Sequence, residues 1–242
     1  MNRSEFGKTI RFARTLLEEN LMSNNELMAD KGASRPASSG KKEIADKGSG
    51  LCEFEKKISS CVKCRLGHTR TKFVFGEGSP GAELMFVGEG PGYDEDHQGR
   101  PFVGRAGQLL TKIIESIGLK REDVFIANLV KCHPMKDPSD PEKRGNDRAP
   151  ALDEIQECLP YLERQIELIA PKIICALGSY SAKTLLSTEE TISSLRGKFR
   201  IRNGILLMPT YHPAALLRNP GWKKEVWHDM KLIKAELEKL GK

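Results

Sequence analysis

The chain has 242 residues, 38% hydrophobic and 30% charged, long enough to bury a substantial core in one domain of ordinary size with extra material beside it. No run approaches the roughly 18 consecutive apolar residues of a membrane span, and the start, MNRSEFGKTIRFARTLLEEN, mixes acids and bases without the long apolar stretch of a secretory leader. A membrane partner is not expected and a cytoplasmic location is; the formal charge of +6, from 39 Lys and Arg against 33 Asp and Glu, suits a polyanionic partner without demanding one.

In chain order, Phe6, Ile10, Ala13, Leu17 and Leu21 recur every three or four residues behind a capping Ser4, which predicts a helical extension within residues 1–30. Residues 31–50 are small and polar and read as a flexible linker, so the main domain is expected to span 51–242. Beyond Leu51 strands and helices alternate. Strands are predicted at Glu83 to Val87, Val124 to Val130, Lys172 to Ala176 and Ile205 to Met208, and helices at about Gly104 to Ile117, Leu152 to Ile169, Ser179 to Leu186 and Lys223 to Leu240. Strands such as ELMFV and KIICAL are continuous apolar runs, as expected when helices cover both faces of a parallel sheet. The expected fold class is therefore α/β: a three-layer α/β/α sandwich around a central, mainly parallel four-stranded sheet. Ligands of such sheets bind at the carboxyl ends of the strands. Four loops fall there: GEGPG, the KCHP segment, LGSYS and TYHPAALLRNP.

Six cysteines in a chain expected to be cytosolic argue against a disulfide framework. Cys61 and Cys64 form a C-x-x-C pair, with Cys132 and Cys158 far downstream. Four thiolates suit either tetrahedral zinc or a [4Fe–4S] cluster, and spacing alone does not choose. Cys132 and Cys158 could equally be small buried hydrophobes. Cys175, flanked by Ile173 and Ile174, reads as core, and Cys52 has no evident partner.

GEGPG alone is a weak signal, either a phosphate cradle or a tight turn. The longer run GEGPGYDEDHQGRPFVGRAGQLL, followed by Asn128 and Lys131-Cys132 after the next strand and by HPAALLRN near the end, is far more specific. It resembles the family 4 uracil-DNA glycosylases, the iron–sulfur branch, from about Leu51 to Leu240. An enzyme that acts on a base must flip it from the duplex into a pocket, which calls for a stacking surface, an edge reader and a wedge.

By this resemblance, Phe102 would stack on uracil and Asn128 would read its edge, donating to O4 and accepting from N3–H. His212 would stand near uracil O2 as a neutral donor, and Glu89 would position or activate water or stabilise the oxocarbenium-like sugar. Glu95 and Asp96 would support the site, although Tyr93 to Asp96 could also be a solvated acidic turn. Gly88, Gly90 and Gly92 would let the backbone approach the base. Leu216 or Leu217 would be the wedge and Arg218 a phosphate contact. The resemblance also assigns Cys61, Cys64, Cys132 and Cys158 to a structural [4Fe–4S] cluster. The stretch MKDPSDPEKRGND lengthens the loop before Cys158, so that ligand depends on the loop bulging outward.

Two other readings compete. Some relatives are trapped covalently on uracil-DNA through a histidine in a basic loop, but Pro134 to Gln156 holds Lys143, Arg144 and Arg148 and no histidine. A non-catalytic cluster protein, an electron carrier or a polymerase-associated module, would not need Phe102, Asn128 and His212 together. Uracil-containing DNA is the expected partner and a monomer the expected state. The N-terminal extension is either a docking segment for other repair or replication proteins or dispensable.

Overall fold

A computed structural model of the protein describes residues 40–241. The helix expected within residues 1–30 lies outside them. Helix α1 spans Gly40–Ile58, so the second half of the expected linker is helical and the domain begins ahead of Leu51. The reason is a buried stripe that the intervening glycines disguise: Leu51 and Ile58 are buried and Phe54 packs edge-on against Phe75 and Tyr161, with ring centroids 5.9 and 6.2 Å apart.

The other elements follow in order. They are β1 (Glu77–Gly78), β2 (Leu84–Gly88), α2 (Tyr93–Gln98), α3 (Arg105–Ser116), β3 (Phe125–Asn128), α4 (Leu152–Ile169) and β4 (Ile173–Leu177). Then come α5 (Ser179–Leu186), α6 (Ile192–Leu195), β5 (Arg200–Arg202), β6 (Ile205–Thr210), α7 (Pro213–Arg218) and α8 (Lys223–Leu240).

The sheet has six strands in the order β1-β3-β2-β4-β6-β5. The four predicted strands form its parallel centre, and short antiparallel β1 and β5 flank it. Alternation along the strands divides the core. Met85, Val87, Ala127, Ile174 and Ala176 face α1, α4 and α5, whereas Leu84, Phe86, Ile126, Ile173 and Cys175 face α3, α7 and α8. The three layers are those the apolar runs predicted, and Cys175 is core.

Because β2 pairs with β3 on one side and β4 on the other, the chain leaves β2 in opposite directions around one strand end. The crevice at this switch point is where such sheets bind ligands. Main-chain bonds join the loops at the rim: Leu129 N–H donates to Gly88 O at 3.0 Å, Val130 N–H to Glu89 O at 3.2 Å and Gly178 N–H to Thr210 O at 2.8 Å.

The exit of β6 is fixed from below. Asp229 of α8 is fully buried and accepts from Thr210 Oγ1 at 2.6 Å and from Arg196 Nε and Nη2 at 3.1 and 2.5 Å. Removing the carboxylate would leave the Thr210 hydroxyl without its acceptor and the half-buried Arg196 guanidinium without its counter-charge, held only by Glu225 O at 2.6 Å. Asp229→Ala is therefore expected to lower the unfolding free energy in urea by about 3–5 kcal/mol, with Asp229→Asn, which keeps an acceptor, less affected.

Candidate active site

Three of the four strand-end loops deliver predicted site residues to the crevice. Gly88 ends β2, Asn128 ends β3, and His212 follows β6 as the residue that caps α7. A Cβ on Gly88 would collide with Asn128 Oδ1 and stand 2.6 Å from Phe102 Cε2, so the ring and the amide meet directly over this glycine. The Phe102 ring lies 5.6 Å from the His212 ring, centroid to centroid, at 34° between planes. Residues 102, 128 and 212 thus stand together beside the end of β2.

Phe102 is held in a backbone conformation that non-glycine residues rarely adopt, φ 52°. Such a position costs about 1–3 kcal/mol and persists only where neighbours fix it. Glu95 does so from α2: Val103 N–H and Gly104 N–H donate to its Oε1 at 2.9 and 3.0 Å, and Gly92 N–H donates to Oε2 at 3.2 Å. Gly107 completes the clamp, since any Cβ there would run into the Phe102 carbonyl. Glu95 therefore supports the stacking loop.

Asp96 has a different task. It is fully buried and accepts from Thr71 N–H at 2.9 and 3.1 Å and from Lys72 N–H at 3.4 Å, which ties the segment before β1 to α2. A solvated acidic turn is excluded for Asp96, and its carboxylate serves the fold.

Asn128 is 2% exposed, and its Oδ1 has no hydrogen-bond partner among the described residues. A buried acceptor left unpaired costs about 1–3 kcal/mol. The orphan faces the Phe102 ring, where a flat ligand carrying an N–H would satisfy it.

His212 has its tautomer set by its own helix. Nδ1 accepts the Ala214 N–H at 3.1 Å, so the ring proton resides on Nε2. Burial, aided by the positive charge of Arg218, pulls its pKa down to about 4, and the ring is a neutral donor at physiological pH. Glu89 shifts the other way: burial pushes its carboxyl up to about 7. Its charge is felt by Tyr180 of α5, which places Glu89 on the side of the crevice bounded by the LGSYS loop. Gly90 packs against Val130 and Pro134, where a Cβ would stand 2.8 Å from Val130 Cγ2, so its role is to bring two loops together.

The two wedge candidates separate. Leu216 is 1% exposed and belongs to the core against α3 and α8, so its assignment to DNA contact is corrected: the turn of α7 points it inward. Leu217, 40% exposed, and the exposed Arg218 stand at the rim.

Cys61, Cys64, Cys132 and Cys158 line a single cleft with Phe73 and Tyr161, and none is in a disulfide. Donors are aimed at the sulfurs: Tyr161 OH to Cys61 at 3.2 Å, Arg70 Nη1 to Cys132 at 3.3 Å and Lys131 N–H to Cys158 at 3.3 Å. Burial raises the Cys64 thiol, Cys132 to about 11 and Cys158 to about 12. Left to themselves these are inert thiols, and a metal centre would take them as thiolates. Among the described residues no group of three or more Cys, His, Asp and Glu side chains is placed to hold a single metal ion. Cys52 is exposed and stands apart.

The lengthened loop does bulge outward, with residues 136–140 and 142–145 mostly exposed. Its two arginines have partners. Arg144 lies over the Tyr93 ring at 4.6 Å and 3.3 Å from Asp94, and Arg148 grips Glu154 at 2.6 and 2.8 Å. Sequence reasoning missed Lys131, Arg70 and Tyr161 as neighbours of the cysteines. The only signal for any of them was a lysine closing the apolar run before Cys132.

Comparison with known proteins agrees with this geometry. A family model for the Uracil DNA glycosylase superfamily matches residues 75–231. The type-4 uracil-DNA glycosylase of Sulfurisphaera tokodaii is 47% identical over 76% of this chain and 83% of its own, and that of Saccharolobus solfataricus is 48% identical over 74% and 83%. A DNA polymerase of Bacillus phage SP01 is 32% identical over 67% of this chain but only 17% of the polymerase. With the superfamily match spanning most of the sandwich and the type-4 enzymes aligned over about three quarters of the chain, the chain belongs to the type-4 family of the uracil-DNA glycosylase superfamily.

Proposed function

We propose that the protein flips uracil out of DNA and hydrolyses its bond to deoxyribose, the first step of base excision repair. The observation that carries this reading is the orphaned Oδ1 of Asn128 beside the Phe102 ring. Uracil presents N3–H to that oxygen and O4 to the amide NH₂, whereas cytosine presents the reverse pattern and would leave both amide groups unpaired. Stacking on Phe102 contributes about 1–3 kcal/mol towards extraction.

As the glycosidic bond breaks, electrons flow from the sugar carbon to the base and negative charge builds on uracil O2. The Nε2–H of His212 is the donor for that charge, and because the ring is already neutral it stabilises the departing anion without giving up its proton. The ionised Glu89 supplies negative charge for the cationic sugar and an acceptor for the proton of the attacking water. Leu217 fills the vacated stack and Arg218 meets a flanking phosphate.

Cys61, Cys64, Cys132 and Cys158 would hold a [4Fe–4S] cluster. When bound, it would cross-link the chain segments that carry these residues, since hydrolysis moves no electron. Their shared cleft and the donors around their sulfurs support this choice. We place the activity in the cytoplasm or on the nucleoid; among the described residues no helix is long and apolar enough to cross a membrane.

Asn128→Asp removes the amide donor and is expected to cut free-uracil release from a U-containing oligonucleotide by on the order of 10²-fold or more, with stability little changed. His212→Ala should lower the single-turnover rate by about 10²–10³-fold. Unchanged release in the Asn128 variant would refute the edge-reader role. Leu217→Ala should slow excision from duplex DNA about tenfold more than from single strands, where no stack needs filling; equal losses on both substrates would remove Leu217 as the wedge.

The acid limb of the pH profile follows from Glu89. Its carboxyl is raised to about 7, so the active ionised form is lost as pH falls through that value, and single-turnover excision should drop about tenfold per pH unit below it. His212, at about 4, stays neutral throughout that window and adds nothing. Glu89→Gln should be slow and flat with pH; a wild-type rate that is level from pH 5 to pH 8 would rule out an ionised Glu89.

A further inference from the structure

Lys131 is fully buried and makes no ion pair with any carboxylate among the described residues. Its ammonium donates to Asn128 O at 2.8 Å and Gln165 Oε1 at 2.6 Å, and Gln165 in turn donates to Phe75 O at 2.9 Å. The charge-bearing groups close enough to act on it are Cys158 and Cys132. Two neutral acceptors do not balance a cation removed from water, which is ordinarily tolerated only opposite a negative charge.

Arg70, partly exposed, stands on the other flank of the cysteines. Its guanidinium donates to Cys61 O at 2.6 Å, Ser59 O at 2.9 Å and Cys132 Sγ at 3.3 Å, and again no carboxylate among the described residues pairs with it. Lys131 and Arg70, neither paired with a carboxylate among the described residues, thus stand beside the cysteines, with Lys63 also lining their cleft. Four thiolates around a [4Fe–4S] core in its common oxidised state carry two negative charges in total, which positive charge beside the cysteines would offset.

Resting on the glycosylase reading and its cysteine-held cluster, we propose that the buried Lys131 and the partly exposed Arg70 are counter-charges of that centre, and that Lys131 also couples it to the uracil pocket by holding the main chain of Asn128. Lys131 is a positioning residue. It touches no substrate, but its backbone N–H bonds Cys158 while its ammonium bonds the carbonyl of the base reader three residues earlier in the chain. Arg70 reaches the cysteines alone, so the two residues should differ in what they do to the pocket.

The test uses the full-length protein purified without oxygen, with iron content, resonance Raman bands of the Fe–S(Cys) bonds and inhibition by free uracil as readouts. Lys131→Met should shift the Fe–S(Cys) bands, weaken metal retention about tenfold or more, and raise the inhibition constant of free uracil about tenfold, equivalent to about 1.4 kcal/mol. Arg70→Gln should shift the bands and leave uracil inhibition at the wild-type value. Wild-type bands in both variants, or a protein without iron, overturns the counter-charge assignment, and unchanged uracil inhibition in Lys131→Met overturns the coupling. Should that variant fail to fold, Gln165→Leu keeps the ammonium but removes one of its acceptors. It should then leave the bands in place and weaken uracil inhibition, and unchanged inhibition again overturns the coupling. A wild-type protein that binds iron but neither releases nor binds uracil sinks the glycosylase reading, and the bands then decide the counter-charges by themselves.

Discussion

The site depends on a position where there is no side chain. At Gly88 the end of the central strand is bare, and the Phe102 ring and the Asn128 amide close over it from two different loops. Any Cβ at this point would displace both, so the ring and the amide, the proposed stacking surface and edge reader, stand together through one steric constraint. The surrounding structure is arranged to keep that contact. Glu95 gathers three main-chain amides and Gly107 yields space to the Phe102 carbonyl, and together they hold an aromatic residue at a positive φ that it would not adopt unaided.

The same burial that makes the pocket selective sets its protonation states. Water is thinned around both Glu89 and His212, which disfavours the charged form of each, and the consequence has opposite sign for an acid and a base. For His212 the result is a neutral ring whose single proton is directed by the Ala214 amide. For Glu89 it is a carboxylate that ionises only near neutrality. A pocket able to accept a flat neutral base thus carries little fixed charge before the sugar–base bond begins to polarise, and its donor and acceptor need no rearrangement when it does.

Much of this was legible in the sequence because the relevant signals are local. Leu152–Ile169, Ser179–Leu186 and Lys223–Leu240 have the bounds that their periodicity predicts, and the four central strands agree to within a few residues at each end. The apolar runs encode the covered sheet directly. Helix α1 was hidden because its glycines and lysines resemble a linker, and only packing of Leu51, Phe54 and Ile58 beside α4 shows what the stripe is for. Strands β1 and β5, of two and three residues, are too short to leave a pattern. Among the site residues, GEGPG, PFVG and YHPAALL marked the right loops. Which of Leu216 and Leu217 faces outward, and that Asp96 bonds the main chain of residues 71 and 72, depend on the direction of a single side chain, and motif order carries no such information.

The cysteines and the pocket have separate chemistry, yet they share the short stretch that leaves β3. Asn128 ends the strand on the pocket side, Lys131 passes through the core, and Cys132 emerges in the cleft on the face covered by α4. With so few residues between them, neither site can move without the other unless the stretch itself deforms, and the Lys131 bonds to Asn128 O and Gln165 resist that deformation. A centre held by these cysteines would in this way bear on the proposed catalysis without moving an electron, by stiffening the backbone from which Asn128 projects. The lengthened loop after Cys132 is tolerated for the same reason. It leaves the core after the shared stretch, spends its length in solvent, and returns through Arg148 and Glu154 to the start of α4 before Cys158 is reached.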